Sequence, residues 1–338
     1  MGKVTKIQWT NHTFNPWWGC TKVSPGCAHC YAETLDKRFG GGHWGPGAAR
    51  KRTSAKNWAE PLKWNADSAS GVSLGFSRAR VFCASMADVF DAEVPAEWRA
   101  DLWDLIRKCA SLDWLLLTKR PGNIPSMLPA DWGDGWPHVW PGTTVENQEE
   151  AERRIPLLVR VPARLRFLSC EPLLGPVDLC ARFDLRSDGP QSNEWRDVLR
   201  GKICTESPVH GRRDFDSQRI GWVIAGGESG RGARPMHPAW ARSLRDQCAR
   251  AGVPFFFKQW GNYGPTSVGE ARGIVLMNGK HYKTEHDWLS DPGASDSRGF
   301  SLHMPAAAVR EFGKEAAGRA LDGREHNEFP ASPALAAT

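Results

Sequence analysis

The chain has 338 residues, enough for one large α/β domain or two smaller ones, and 41% of them are hydrophobic, which supports a sizeable core. Its 44 basic and 38 acidic residues give a net charge of +6, a mild bias toward polyanionic partners such as nucleic acid that a slightly basic enzyme would show equally. No run of about eighteen apolar residues occurs, so no membrane partner is expected.

Residues Met1 to Trp9 lack the apolar segment of a secretory leader, which predicts a cytoplasmic chain with reduced thiols. The first apolar run, Thr13 to Cys20, reads as a strand leading into a cysteine loop. Cys20, Cys27 and Cys30 follow the pattern C-x6-C-x2-C, while the other six of the nine cysteines are scattered. A structural zinc takes four ligands, and a cubane iron–sulfur cluster normally takes four cysteines. Three local thiols therefore suggest a cluster with one iron left open for a ligand. The alternatives are a zinc completed by His12 or His29, or a disulfide within the triplet. Cys83 and Cys170 lie in or just after apolar runs, where a small buried thiol is ordinary.

A Gly-rich basic stretch, Gly40 through Arg52, reads as loop. Arg80 to Ser85 is the second strand. Val94 to Cys109 is a helix, with Pro95 suited to its first turn and Trp98, Leu102, Leu105, Ile106 and Cys109 on one face. Asp113 to Thr118 and Val139 to Val145 are the third and fourth strands. Gln148 to Arg160 is helical, although Pro156 could break it. Arg164 to Ser169 is the fifth strand, and Asp178 to Arg219 reads as an inserted loop or lid (178–219). Trp222 to Ala225 is the sixth strand, Pro238 to Ala251 a helix, and Phe255 opens the seventh strand. Beyond residue 261, a C-terminal extension (262–326) contains a candidate hairpin around Asn278-Gly279, and the tail from Asn327 is expected to be disordered. Strands alternating with helices predict an α/β fold, a partial or full β/α (TIM-like) barrel of parallel strands over 1–261. The strands are solidly apolar, as expected where both faces are covered.

A polar group follows each strand: Ser85, Met86 and Asp88; Thr118-Lys119-Arg120; Thr143, Thr144, Glu146 and Asn147; Cys170-Glu171; Gly226-Gly227-Glu228-Ser229-Gly230; and Lys258-Gln259-Trp260. In a β/α barrel the carboxyl ends of the strands form the active-site face. The plain competing reading is that strands simply end in polar loops. Gly226 and Gly227 permit close approach of a ligand to the backbone. Lys258, following three phenylalanines, could receive a carboxylate or phosphate. Among seventeen tryptophans, the loop-borne Trp17, Trp18, Trp132, Trp136 and Trp140 could stack on bases, although anchoring of core and loops accounts for most such rings.

Four stretches carry a resemblance: Asn15-Pro16-Trp17-x-Gly19-Cys20, Leu117-Thr118-Lys119-Arg120-Pro121, Ser169-Cys170-Glu171-Pro172-Leu173 and Gly226-Gly227-Glu228-Ser229-Gly230. From about Ile7 to Gly261 the chain resembles a phage-associated protein family bearing this three-cysteine motif and, more widely, the radical S-adenosylmethionine (SAM) superfamily. The superfamily's usual spacing is C-x3-C-x2-C, and its Gly-Gly-Glu usually follows the second strand; here the first gap is six and Gly-Gly-Glu follows the sixth. The resemblance implies a 4Fe-4S cluster on Cys20, Cys27 and Cys30, with SAM on the fourth iron, an electron donor protein, and radical chemistry by hydrogen abstraction. The strand-end polar groups supply the rest of the site: Glu171 and Lys258 are the candidate catalytic residues. Ser85, Asp88, Lys119, Glu146, Asn147, Gly226, Gly227 and Glu228 become the candidate cofactor-binding residues. The expected substrate is a nucleic-acid base or nucleotide. The other reading is a zinc-binding nucleic-acid-binding protein without catalysis.

Overall fold

The computed structural model describes residues 5, 7–70, 78–180, 194–207, 211–216, 218–267, 270–284, 287–288, 290–291 and 306–331. Its centre is one seven-stranded sheet of β1 (His12–Thr13), β2 (Ala79–Cys83), β3 (Leu112–Thr118), β4 (Val139–Thr144), β5 (Phe167–Cys170), β6 (Trp222–Gly226) and β7 (Phe255–Gln259). The strands lie side by side in chain order, and every neighbouring pair is parallel. The sheet curls into a half-barrel flanked by helices, so the partial form of the predicted barrel is the one observed.

Helices α1 (Tyr31–Arg38), α2 (Ala55–Ala69), α3 (Ala96–Lys108), α4 (Gln148–Val159) and α5 (Pro238–Ala251) occupy the connections. Pro156 does not break α4; the helix runs through it and buries it, as α2 does Pro61. Alternate strand residues serve two cores, because successive side chains point to opposite faces. Val81, Trp114, Leu116, Leu168, Val223 and Phe257 belong to a large buried cluster shared with Leu102, Ile106, Ile155 and Leu244 of the helices. Phe82, Leu115, Trp140, Phe167, Trp222 and Phe256 form a second cluster with Trp9, an aromatic layer across the concave side. This double coverage is why the strands read as solidly apolar.

The predicted first strand is split. His12–Thr13 pairs with β2, whereas Trp17–Trp18 pairs antiparallel with Lys51–Arg52. Pro16 between them has no N–H for a ladder, and the basic stretch expected to be loop ends in a short strand. Within 178–219, Glu194–Asp197, Lys202–Ser207 and Gly211–Asp216 make a three-stranded antiparallel sheet; residues 181–193 of that stretch lie outside the described residues. The hairpin around Asn278-Gly279 is present as Gly273–Leu276 paired with His281–Tyr282, in a four-stranded sheet with Tyr263–Pro265 and Ala306–Glu311. Residues 327–331, expected to begin a disordered tail, pack on the sheet: Asn327 bridges to Phe256, and the Phe329 ring lies 5.5 Å from that of Trp222. Residues 332–338 lie outside the described residues. Among the described residues no helix is long and apolar enough to cross a membrane.

Candidate functional site

A cavity of about 1290 Å³ opens at the carboxyl ends of the parallel strands, above the aromatic layer. Cys20, Cys27 and Cys30 line it together with Ser85, Asp88, Lys119, Glu171, Gly227, Glu228 and Lys258. Sheet geometry explains the convergence: in-register parallel strands present their last residues at one end. Three predicted site residues do not line the cavity. Glu146 is fully buried beneath the cysteine loop, Asn147 caps α4 by accepting from the Glu150 amide at 3.0 Å, and Gly226 packs against Glu171.

The cysteine loop is pinned at three places, each by a carboxylate expected to bind a cofactor. Glu146 accepts from Ser24 Oγ at 2.6 Å through one oxygen and from Arg154 Nη1 at 2.7 Å through the other. Glu228 is gripped by Arg234, whose Nε and Nη2 donate at 2.8 and 2.6 Å, and by His29 Nδ1 at 3.1 Å. The same guanidinium reaches the Pro25 carbonyl at 3.0 Å. Burial pushes the Glu228 carboxyl up, but the hydrogen bonds from Arg234 and His29 outweigh it and hold the group below the usual carboxylate range. Asp88 accepts from Thr118 Oγ1 at 2.7 Å, the Lys119 amide at 3.1 Å and Arg120 Nη1 at 2.9 Å.

Arg120 then donates to the Thr21 carbonyl at 2.7 Å and to Cys20 Sγ at 3.4 Å. Burial pushes the Cys20 thiol up to about 11, and the Asp88 carboxylate adds to this; Arg120 opposes both and is placed to support a thiolate. Arg120 stands in the polar group after β3, where the sequence alone assigns it no role. Its signal was its position immediately after Lys119 at a strand end. Arg154 and Arg234 left no local signal. Asn15, from the first motif, accepts from the Ser85 and Met86 amides at 2.8 and 2.9 Å and so anchors the turn after β2.

Lys258 Nζ pairs with Glu171 Oε1 at 3.0 Å on the cavity wall. Lys119 Nζ meets the neutral Thr144 hydroxyl at 3.3 Å. The glycines of Gly226-Gly227 serve the chain's own packing: a Cβ on Gly227 would lie 1.9 Å from the Trp260 carbonyl, and one on Gly226 2.7 Å from Glu171 Oε1. Close backbone approach is real here, with the Glu171 side chain beside Gly226 and the turn after β7 beside Gly227.

Cys20, Cys27 and Cys30 are all free and partly accessible, and no disulfide joins them. Among the described residues no three His, Cys, Asp or Glu side chains converge tightly enough to hold one metal ion. His12 lies flat on Trp64 at 4.4 Å and His29 is engaged by Glu228. Three free thiols on one cavity are a donor set that an iron–sulfur cluster, or a zinc with a further ligand, could use. Of the tryptophans proposed for base stacking, Trp17, Trp132 and Trp140 are buried and Trp136 packs on Trp103 and Trp132; Trp18 alone lines the cavity.

No curated protein and no solved structure matches the chain. Residues 4–330 match the family described as Protein of unknown function (DUF5131), and the chain belongs to that family.

Proposed function

We propose that the protein is a radical SAM enzyme acting on a nucleic-acid base or nucleotide. The observation that carries this reading is the meeting of three free cysteines with Lys119, Glu171 and Lys258 on one cavity at the carboxyl end of a parallel half-barrel. Cys20, Cys27 and Cys30 would hold a 4Fe-4S cluster; no other described cysteine lines the cavity. Bound there, the cluster would supply the electron for reductive cleavage of SAM and so the capacity to abstract hydrogen from a substrate.

The chain's own residues bind, orient and exclude water. Glu146, Glu228 and Asp88 keep the cysteine loop in one conformation through Ser24, Arg234 and Arg120. Lys119 offers an ammonium to an anionic group of SAM or substrate. Lys258 holds a proton against Glu171 Oε1, and the pair can accept an ammonium or a carboxylate by exchanging partners. The aromatic layer of Phe82, Phe167 and Trp222 closes the floor and keeps water from below.

The test is anaerobic purification followed by iron, sulfide and zinc analysis. A brown protein with equal iron and sulfide that releases 5′-deoxyadenosine from SAM on reduction supports the reading; dithionite replaces the electron donor protein in this assay. A colourless protein holding one zinc overturns it in favour of a zinc-binding module.

A further inference from the structure

We infer that the mouth of the cavity is a binding surface for single-stranded nucleic acid, laid along α1. This rests on the preceding reading and deepens it, naming a polynucleotide strand rather than a free nucleotide as the substrate class. Four large hydrophobic side chains are exposed among the described residues, and two belong to this helix and its cap: Tyr31 at 58% and Phe39 at 71%. Tyr31, Leu35 and Phe39 recur every fourth residue, which places them in one row, and all three line the cavity with Trp44. Exposing a phenylalanine to that degree has no packing return, and two exposed rings with the half-buried Leu35 between them mark an interaction site.

The charge around this row is positive. Lys22 and Lys314 are exposed and line the cavity, Lys37 and Arg38 are exposed on α1 itself, and the exposed Arg231 follows the cavity-lining Gly230. Lys22 and Lys37 share a single carboxylate, Glu33, at 2.8 and 2.6 Å, so one positive charge is left over. The other acid of α1, Asp36, is buried and turned toward His43 at 2.8 Å. Rings for bases beside cations for phosphates are the two elements of single-strand recognition. In a duplex the base faces are already stacked, and only an unpaired or extruded base can lie on Phe39 or enter the cavity. The row from Tyr31 to Phe39 runs about 12 Å along the helix, several times the roughly 3.4 Å rise of a stacked strand. A mononucleotide would leave most of it uncovered.

The experiment is fluorescence anisotropy on the anaerobically purified protein, with a labelled oligothymidylate, an oligouridylate of equal length and a blunt DNA duplex. Single strands are expected to bind about tenfold or more tighter than the duplex, with log affinity falling linearly with log salt. The tighter of the two single strands identifies the polymer as DNA or RNA. Phe39→Ala and Tyr31→Ala should each weaken binding about tenfold, Phe39→Trp should retain it, and Lys37→Gln with Arg38→Gln should flatten the salt dependence. Equal affinity for strand and duplex overturns the inference, as does wild-type binding by the Tyr31→Ala/Phe39→Ala variant with an unchanged circular dichroism spectrum. Iron and 5′-deoxyadenosine are measured on the same preparation. A full cluster and deoxyadenosine without strand binding removes the surface and leaves the enzyme; strand binding without iron removes the enzyme and leaves the surface.

Discussion

Arg120 shows how one side chain joins the fold to the site. Its guanidinium spans Asp88 at the end of β2 and Cys20 in the loop, with distances of 2.9 and 3.4 Å. Arg120→Gln removes a nearly buried ion pair and leaves Asp88 uncompensated. We expect a stability loss of about 3 kcal/mol in denaturant titration and, if the proposed cluster sits on Cys20, less iron per chain and a more negative midpoint potential in the fraction that retains it, because a donor to Cys20 Sγ has gone. Glu228 belongs at the same scale. Four hydrogen bonds occupy its oxygens, so Glu228→Gln should lower iron retention by loosening His29 and Arg234. Its SAM affinity per bound cluster, measured by equilibrium dialysis, should stay within about twofold of wild type, since a lost direct SAM contact would cost more.

Among the elements, the cysteine loop is the most tightly specified. Gly26 sits over Glu146, and a Cβ there would meet Oε1 at 2.3 Å and Cγ at 2.6 Å. Glu146 cannot yield, because it is buried and held by Arg154. Gly26→Ala should therefore shift the loop and abolish iron binding, while thermal unfolding of the half-barrel moves by only a few degrees. The element before β4 carries the pH dependence. Burial pushes His138 down to about 4; the bond it donates to the Ile106 carbonyl at 3.2 Å opposes this and the Arg78 charge adds to it. The unfolded chain binds this proton near pH 6.5 and the folded chain only near 4. Stability is therefore complete above pH 6.5 and falls between 6.5 and 4 as the pH drops. The slope approaches about 1 kcal/mol per pH unit at most, and His138→Asn should flatten the measured curve across that window.

At the scale of the whole molecule, the chain returns to close its own half-barrel. Phe329 packs on Trp222 and Phe256, Arg80 lies 4.0 Å over its ring, and the Glu328 carbonyl accepts from Trp222 Nε1 at 3.0 Å. Phe329→Ala should cost about 2 kcal/mol in urea unfolding, less than a fully buried phenylalanine because the ring is only partly covered. The parallel α/β architecture and the strand-end polar groups were legible in the residues because they depend on local periods: solid apolar runs, helical recurrence between them, and a polar group after each. The Cys20, Cys27 and Cys30 triplet was legible because its spacing is short. What the carboxylates do was not legible. Glu146, Asp88 and Glu228 read alike as candidates for ligand binding, yet each pins the loop: Glu146 directly through Ser24, Glu228 through Arg234, and Asp88 through Arg120, 32 positions away. The aromatic residues divided in the same way, with Trp140 and Trp222 inside and Tyr31 and Phe39 outside. The sequence by itself determined which residue types reach the carboxyl ends of the strands, because period and spacing are properties of neighbouring residues. Only the tertiary structure decided which of them face the cavity, because a charge or a ring takes its role from partners that the chain's folding brings within a few ångströms.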